Sequence, residues 1–288
     1  MKKTILIILL CVVFTGGNAL CESLDFLLID PSPYSAGIAN CGINNINNNP
    51  AAIFYKQSRE VSFSHIEWFL DTRIEHFQFV YKINKLGIAS SITYLYMGGI
   101  QGYDESGNMT PVFSVYNMSG VLALGYTIWK FSTSVSFKLI QEKLADVTAN
   151  GFAIDAGIIA DNILPGFSCG LSALNIGPDI KYSVQKENLP FILKGLVHYK
   201  IPIYPYDIFL NVNRGRYGNI SGGVGIEGHY FKVLSLRIGY VIDQTANAQK
   251  GLKTGIGIDI SKKYKFDYAI MPLSEFGLLH IAGLSICF

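Results

Sequence analysis

A strict two-residue alternation constrains this chain more than any other feature. In Phe131-Ser-Thr-Ser-Val-Ser-Phe-Lys-Leu139, apolar residues or Thr alternate with Ser or Lys. Leu234, Leu236, Ile238 and Tyr240 alternate with Ser235, Arg237 and Gly239, and Leu252, Thr254, Ile256, Ile258 and Ile260 with Lys253, Gly255, Gly257 and Asp259. Ile220, Val224 and Ile226 share one face, with Ser221, Gly223, Gly225 and Glu227 on the other. A period of two places the two sets on opposite faces of a sheet. In a soluble sandwich the small polar face points outward. In a membrane barrel the apolar face meets lipid and the small or polar residues line the lumen. Local pattern fits either; length favours the barrel. Many runs last about 9–12 residues, as tilted membrane strands do, against about 5–6 in soluble domains.

Composition narrows the classes further. The chain has 288 residues, 50% of them hydrophobic and 15% charged, with 29 Gly, 17 Tyr and 18 Phe. Soluble domains carry about 25% charged residues. Disorder would need low hydrophobicity and high net charge, and a formal charge of +2 gives no basic excess for binding nucleic acid. The apolar residues are spread out, not gathered into the runs of about 20 that membrane helices need.

Breaking the chain at turn-like residues predicts strands at 60–70, 72–83, 86–97, 117–129, 131–143, 150–160, 165–175, 190–201, 205–213, 218–230, 232–242, 251–261, 263–271 and 277–288. That is fourteen, or twelve if one adjacent pair merges; bacterial outer-membrane barrels have an even number. Tight breaks fall at Asp71-Thr72, Asn84-Lys85, Lys130 and Lys262-Lys263, and longer connections at 98–116, 176–189 and 243–250. Tyr94, Tyr96, Tyr126, Trp129, Tyr199, Tyr230, Tyr240 and Tyr264 fall near strand ends, as interfacial aromatics do. The chain stops on an alternating strand, Leu284, Ile286 and Phe288, which resembles the terminal signal read by the outer-membrane barrel assembly machinery.

The amino terminus carries Lys2 and Lys3, an apolar run from Ile5 to Phe14, then small residues up to Ala19. This is the pattern of a secretory signal peptide over 1–19, with a cut after Cys21 as the alternative. Two other readings are an amino-terminal anchor and a lipoprotein on Cys21, against which stands Leu20 before that cysteine. Loss of the signal removes Lys2 and Lys3 and leaves a formally neutral chain of 21 basic and 21 acidic residues. Cys41, Cys169 and Cys287 are too widely separated for a metal-binding pattern and read as buried or free thiols, with pairing as the alternative. Residues 22–59, with Pro31, Pro33, the Asn44–Asn49 stretch and Pro50, read as irregular, and 60–288 as the barrel.

Nothing in the sequence points to catalysis, a metal or a cofactor. Gly223–Gly228 formally matches the dinucleotide fingerprint, which requires a following helix; here strand-like alternation continues. His65, His76, His198, His229 and His280 have no ligand-type spacing. Asp155, Glu227 and Asp259 share polar faces with Lys138, Arg237 and Lys253, and read as charge pairs lining the lumen.

Asn49-Pro50-Ala51-Ala52, just before the first strand and after Tyr34-Ser-Ala-Gly-Ile-Ala39, resembles the amino-terminal region of PorV/PorQ-type outer-membrane proteins, relatives of FadL-like hydrophobic-compound transporters. Asp155-Ala-Gly157, Gly170–Gly177, Leu236–Tyr240 and Asp267-Tyr-Ala269 resemble further segments of that family in the same order. Asn48 replaces the family's usual aromatic. The resemblance implies a fourteen-stranded outer-membrane barrel with its amino-terminal segment in the lumen as a hatch. It also implies one of two roles, passive passage of hydrophobic molecules such as fatty acids, or a scaffold for secreted cargo proteins. The expectation is therefore a non-enzymatic, lipid-embedded barrel. A soluble exported sandwich is the remaining alternative.

Overall fold

The computed structural model describes residues 24–68, 70–182, 185–243, 250–273 and 277–288; the expected signal peptide and Cys21 lie outside them. Fourteen antiparallel strands close into one barrel. Seven come first: β1 (Arg59–Glu67), β2 (Arg73–Ile83), β3 (Leu86–Tyr103), β4 (Met109–Ile128), β5 (Phe131–Leu144), β6 (Val147–Leu164) and β7 (Phe167–Ile176). A small separate hairpin, β8 (Ile180–Tyr182) and β9 (Gln185–Glu187), follows. The circuit resumes with β10 (Ile192–Lys200), β11 (Tyr206–Gly215), β12 (Ile220–Tyr230), β13 (Leu234–Asp243), β14 (Gly251–Asp259), β15 (Tyr264–Pro272) and β16 (Leu278–Cys287). It closes where β16 pairs with β1, Leu284 opposite Phe63 and Ile286 opposite Val61. The Phe288 amide donates to the Arg59 carbonyl at 3.2 Å, so the terminal strand is paired to its last residue.

The alternation resolves inside out. Ser132, Ser134 and Ser136 are 5%, 3% and 3% exposed, while Val135, Phe137 and Leu139 on the same strand are 54%, 46% and 59% exposed. Leu236, Ile238 and Tyr240 likewise face outward, and Arg237 is buried. A soluble monomer rarely exposes an apolar patch beyond a few hundred Å², and here the apolar face runs round the barrel. Such a surface needs an apolar solvent, so this is a transmembrane barrel and not a sandwich. Its belt has a measurable height. Leu86 pairs with Tyr126 near one end, and ten residues along β3 Tyr96 pairs with Tyr116. At about 3.4 Å per residue and a tilt of about 40°, that rise is roughly 26 Å, close to the thickness of an outer-membrane apolar band.

All fourteen sequence-derived strands appear, and the main difference lies at 98–116. The sequence reads as a connection there, but β3 and β4 continue through it to a turn at 104–108. Two register irregularities, between Met97 and Ile100 and between Ile100 and Gly102, break the two-residue period and hide the strand. The connection at 176–189 contains β8 and β9, and 244–249 lies outside the described residues. The barrel end that carries Arg59 and Phe288 has short links such as 84–85, 129–130 and 165–166. The opposite end carries the longest excursions, the β3–β4 extension and 177–191.

Candidate functional site

The lumen is where the polar faces meet, and residues 24–58 pack within it. Their one α-helix is a single short turn, α1 (Pro33–Gly37). Pro33 supplies a preset φ at the first helical position, and the Ser32 hydroxyl accepts from the Ser35 amide at 3.3 Å. A 3-10 turn over Pro50–Tyr55 is capped the same way, the Asn49 side-chain oxygen accepting from the Ala51 amide at 2.9 Å. Three groups of contacts hold the segment to the wall.

The first is Asn49, fully buried. While its oxygen caps the turn, its Nδ2 donates to the carbonyls of Ile158 on β6 and Leu171 on β7, at 3.2 and 3.0 Å. These two residues face each other across the strand pair. Glycine makes the approach possible: a Cβ at Gly157 would overlap the Asn49 side-chain oxygen. Ala51, Ala52 and Ile53 follow, buried with Val80, Ala89, Ala123 and Ile159.

The second is centred on Asn48, which occupies the position of the family's aromatic and is 3% exposed. Its amide donates to Asp30 Oδ2 at 3.2 Å and Ser35 Oγ at 2.9 Å, and its side-chain oxygen accepts from Lys194 Nζ on β10 at 2.5 Å. Ser172 of β7 donates to its carbonyl at 2.6 Å. Asp30 also accepts from Asn45 at 2.7 Å. A phenyl ring could satisfy none of Asp30, Ser35 and Lys194, the partners of the Asn48 side chain, so the departure replaces apolar packing with a polar hub.

The third is an arginine box. Arg237, on β13, has a side chain with no exposure and donates to Glu227 Oε1 at 2.9 Å and Asp267 Oδ1 at 2.6 Å. The Tyr34 hydroxyl of α1 donates to Glu227 Oε2 at 3.0 Å, and the guanidinium lies 4.4 Å from the centre of the Tyr34 ring. Gly37 of α1 meets Gly255 of β14 backbone to backbone, a Cβ on Gly37 falling 3.0 Å from the Gly255 Cα. Two buried carboxylates around one guanidinium are tolerable because each is hydrogen-bonded as well as paired.

The other sequence-selected residues are placed as follows. Lys138 pairs with Asp155 at 3.2 Å and donates to Asn175 Oδ1 at 2.5 Å. Lys253 is buried at 1% exposure with no hydrogen-bond partner among the described residues, and Asp259 is exposed at the end of β14. The structure therefore brings together Lys138 with Asp155 and Arg237 with Glu227, and does not join Lys253 to Asp259. Cys41, Cys169 and Cys287 are free. Burial pushes the Cys41 thiol up to about 12.

Two cavities flank the segment. One, of about 40 Å³, lies between Phe26, Ile29 and Ile46 on one side and Thr93, Ser136 and Lys138 on the other. The second, of about 350 Å³, lies at the short-turn end among Phe54, Tyr55, Lys82, Trp129, Lys130 and Asp161. Between them along the strands stand Ile53, Ala89 and Ala123. The seal is apolar.

Sequence reasoning missed one cluster. His198, Asp207, Glu227 and His229, from the ends of β10, β11 and β12, converge at the short-turn end. Strand register was the missing information. Asp207 stands opposite both Glu227 and Lys200, and His229 opposite Ser235, relations that linear spacing does not contain.

No family model matches the chain, and no curated protein matches it in sequence. Solved structures do match in fold. A deltaS2S3 mutant of the TodX monoaromatic hydrocarbon channel superposes with a TM-score of 0.67 at 11% identity, covering 89% of this chain and 98% of that one. A FadL homologue of Pseudomonas aeruginosa does so with a TM-score of 0.58 at 10% identity, covering 94% and 99%. Acinetobacter baumannii Omp33 gives 0.50 at 9% identity, covering 81% and 98%. The chain has the fold of outer-membrane channel barrels.

Proposed function

We propose that this protein is a passive channel of the bacterial outer membrane for small hydrophobic molecules, closed by its amino-terminal segment acting as a hatch. The observation that carries the reading is the chemistry of the seal. Ile53, Ala51 and Ala52 pack against Val80, Ala89, Ala123 and Ile159 in an apolar cluster between the two cavities, with the small hydroxyls of Ser134 and Ser136 buried on the neighbouring strand. Apolar contact is non-directional, so an apolar solute that displaces Ile53 exchanges one such contact for another. A sugar or an ion entering the same gap loses hydrogen bonds to water and gains none. The fold shared with a hydrocarbon channel and a FadL homologue supports the same reading. In this reading the short-turn end faces the periplasm and the β3–β4 extension the outside.

Reconstitution into liposomes tests this. Uptake of a labelled monoaromatic compound and of a labelled fatty acid should exceed that of empty liposomes, while uptake of a sugar of similar size should not. Equal uptake with and without protein for both hydrophobic probes would count against the proposal.

A second reading, a scaffold for secretion or surface assembly, rests on β3 and β4. From Tyr96 to Tyr103 this hairpin extends roughly 24 Å along the strand beyond the aromatic band. Stoichiometric co-purification of an exported protein, lost when residues 98–112 are shortened, would favour it.

A further inference from the structure

We propose that His198, His229, Asp207 and Glu227 form a binding site for a divalent transition-metal cation of the zinc type at the short-turn mouth of the lumen. Inward-facing Asp207, Glu227 and His229 bring their ligand atoms together, and His198 of β10 reaches the same Asp207 oxygen. His229 Nε2 lies 3.1 Å from Asp207 Oδ2 and 4.0 Å from Glu227 Oε2, and His198 Nε2 lies 3.6 Å from the same Asp207 oxygen. One ligand atom from each of Asp207, Glu227 and His229 lies within 4.8 Å of the others. Around a tetrahedral ion with bonds of about 2.0–2.1 Å, neighbouring ligand atoms stand about 3.3 Å apart. The two imidazole spacings to Asp207 Oδ2, 3.1 and 3.6 Å, bracket that value, and Glu227 Oε2 at 4.0 Å from His229 stands a little beyond it.

The polar inventory points the same way. Asp207 is 8% exposed, yet its Oδ1 has no hydrogen-bond partner, and His198 Nε2 has none either, its 3.6 Å separation from Asp207 exceeding hydrogen-bond length. Buried polar atoms are normally satisfied; of the eleven side-chain atoms without a partner among the described residues, these two meet at a cluster of ligand-type side chains. One outer contact is of the kind that orients a metal-bound histidine. His229 Nδ1 lies 3.2 Å from Ser235 Oγ, leaving Nε2 toward the cluster, and His198 stacks flat on Phe209 with ring centroids 4.7 Å apart. Glu227 is fixed by Arg237 at its other oxygen. Two imidazoles with carboxylates suit zinc and its neighbours, whereas magnesium and calcium prefer an all-oxygen shell. The same Glu227 oxygen accepts from Tyr34, so an ion there sits beside one of the anchors of the amino-terminal segment.

The test uses the full-length barrel, purified in detergent without a histidine tag and titrated with Zn²⁺ against a chromophoric chelator. Cobalt serves as a spectroscopic substitute. One ion per barrel is expected, with the intense visible bands of four-coordinate cobalt. His198→Ala, His229→Ala and Asp207→Asn should each weaken binding by at least tenfold, and His65→Ala and His280→Ala, far from the cluster, should leave it unchanged. Folding is checked for each variant by heat-modifiable gel mobility; Asp207→Asn, which keeps its shape, serves if a histidine variant does not fold. No stoichiometric zinc at micromolar free ion would overturn the proposal. So would undiminished affinity in the folded Asp207→Asn variant, or tighter binding of magnesium or calcium than of zinc.

Discussion

At the scale of single residues, the lumen is held by side chains that do two tasks each. Asn49 caps its own turn through oxygen and tethers the turn to the wall through nitrogen. Replacing it separates these tasks. Asn49→Asp keeps the capping oxygen, loses both donors to Ile158 and Leu171, and puts a charge against two carbonyls. The expected outcome is a higher basal conductance in planar bilayers than wild type, from a hatch that detaches more often. Arg237 is the stability counterpart. Arg237→Ala leaves Glu227 and Asp267 buried without their cation, a change that costs about 3–5 kcal/mol, read as a lower urea midpoint of unfolding in lipid vesicles. Cys41 reports on burial directly. An ordinary thiol is extensively ionised at pH 9.5, but one raised to about 12 stays neutral and unreactive there. In a chain whose sole cysteine is Cys41, maleimide labelling at that pH should require unfolding. The unfolded thiol ionises first, so this contribution to stability is complete below about pH 8 and declines as pH rises toward about 12.

At the scale of elements, alternation made the strands legible, because lipid on one side and a polar lumen on the other enforce a period of two along every crossing. Phe131–Leu139 is read correctly for this reason, residue by residue. Beyond the apolar belt that pressure ends, and the extension of β3 past Met97, with its two irregularities, was invisible. The candidate site was legible only in part. Asn49, Pro50 and Ala51 could be selected from a motif, and Glu227 and Arg237 from their faces. The hub at Asn48 and the cluster around Asp207 depend on register and on where a non-strand segment lies, which no periodicity encodes. The close approach of the Asn49 turn to β6 gives a prediction at this scale. Gly157→Val should expel the turn from the wall, raising conductance more than Asn49→Asp does, while heat-modifiable mobility shows the barrel still closed.

At the scale of the whole molecule, the low charge and high hydrophobicity are consequences of an inverted architecture, with apolar residues outside and a hydrogen-bonded interior filled by the chain's own amino-terminal segment. Barrel closure is shared by all fourteen strands, and the wall needs no help from that segment to satisfy its ladders. Displacing the segment would leave the ladders of the wall intact. If passage requires the segment to move, a reversible lock should abolish it. A Cβ at Gly87 would lie 2.5 Å from the Ile53 Cγ2, close enough for Ile53→Cys and Gly87→Cys to form a disulfide in a chain otherwise lacking cysteine. Uptake of a labelled monoaromatic compound by proteoliposomes should fall to that of empty liposomes when the pair is oxidised and return on reduction. Unchanged uptake through a barrel whose disulfide is verified by mass spectrometry would contradict the account.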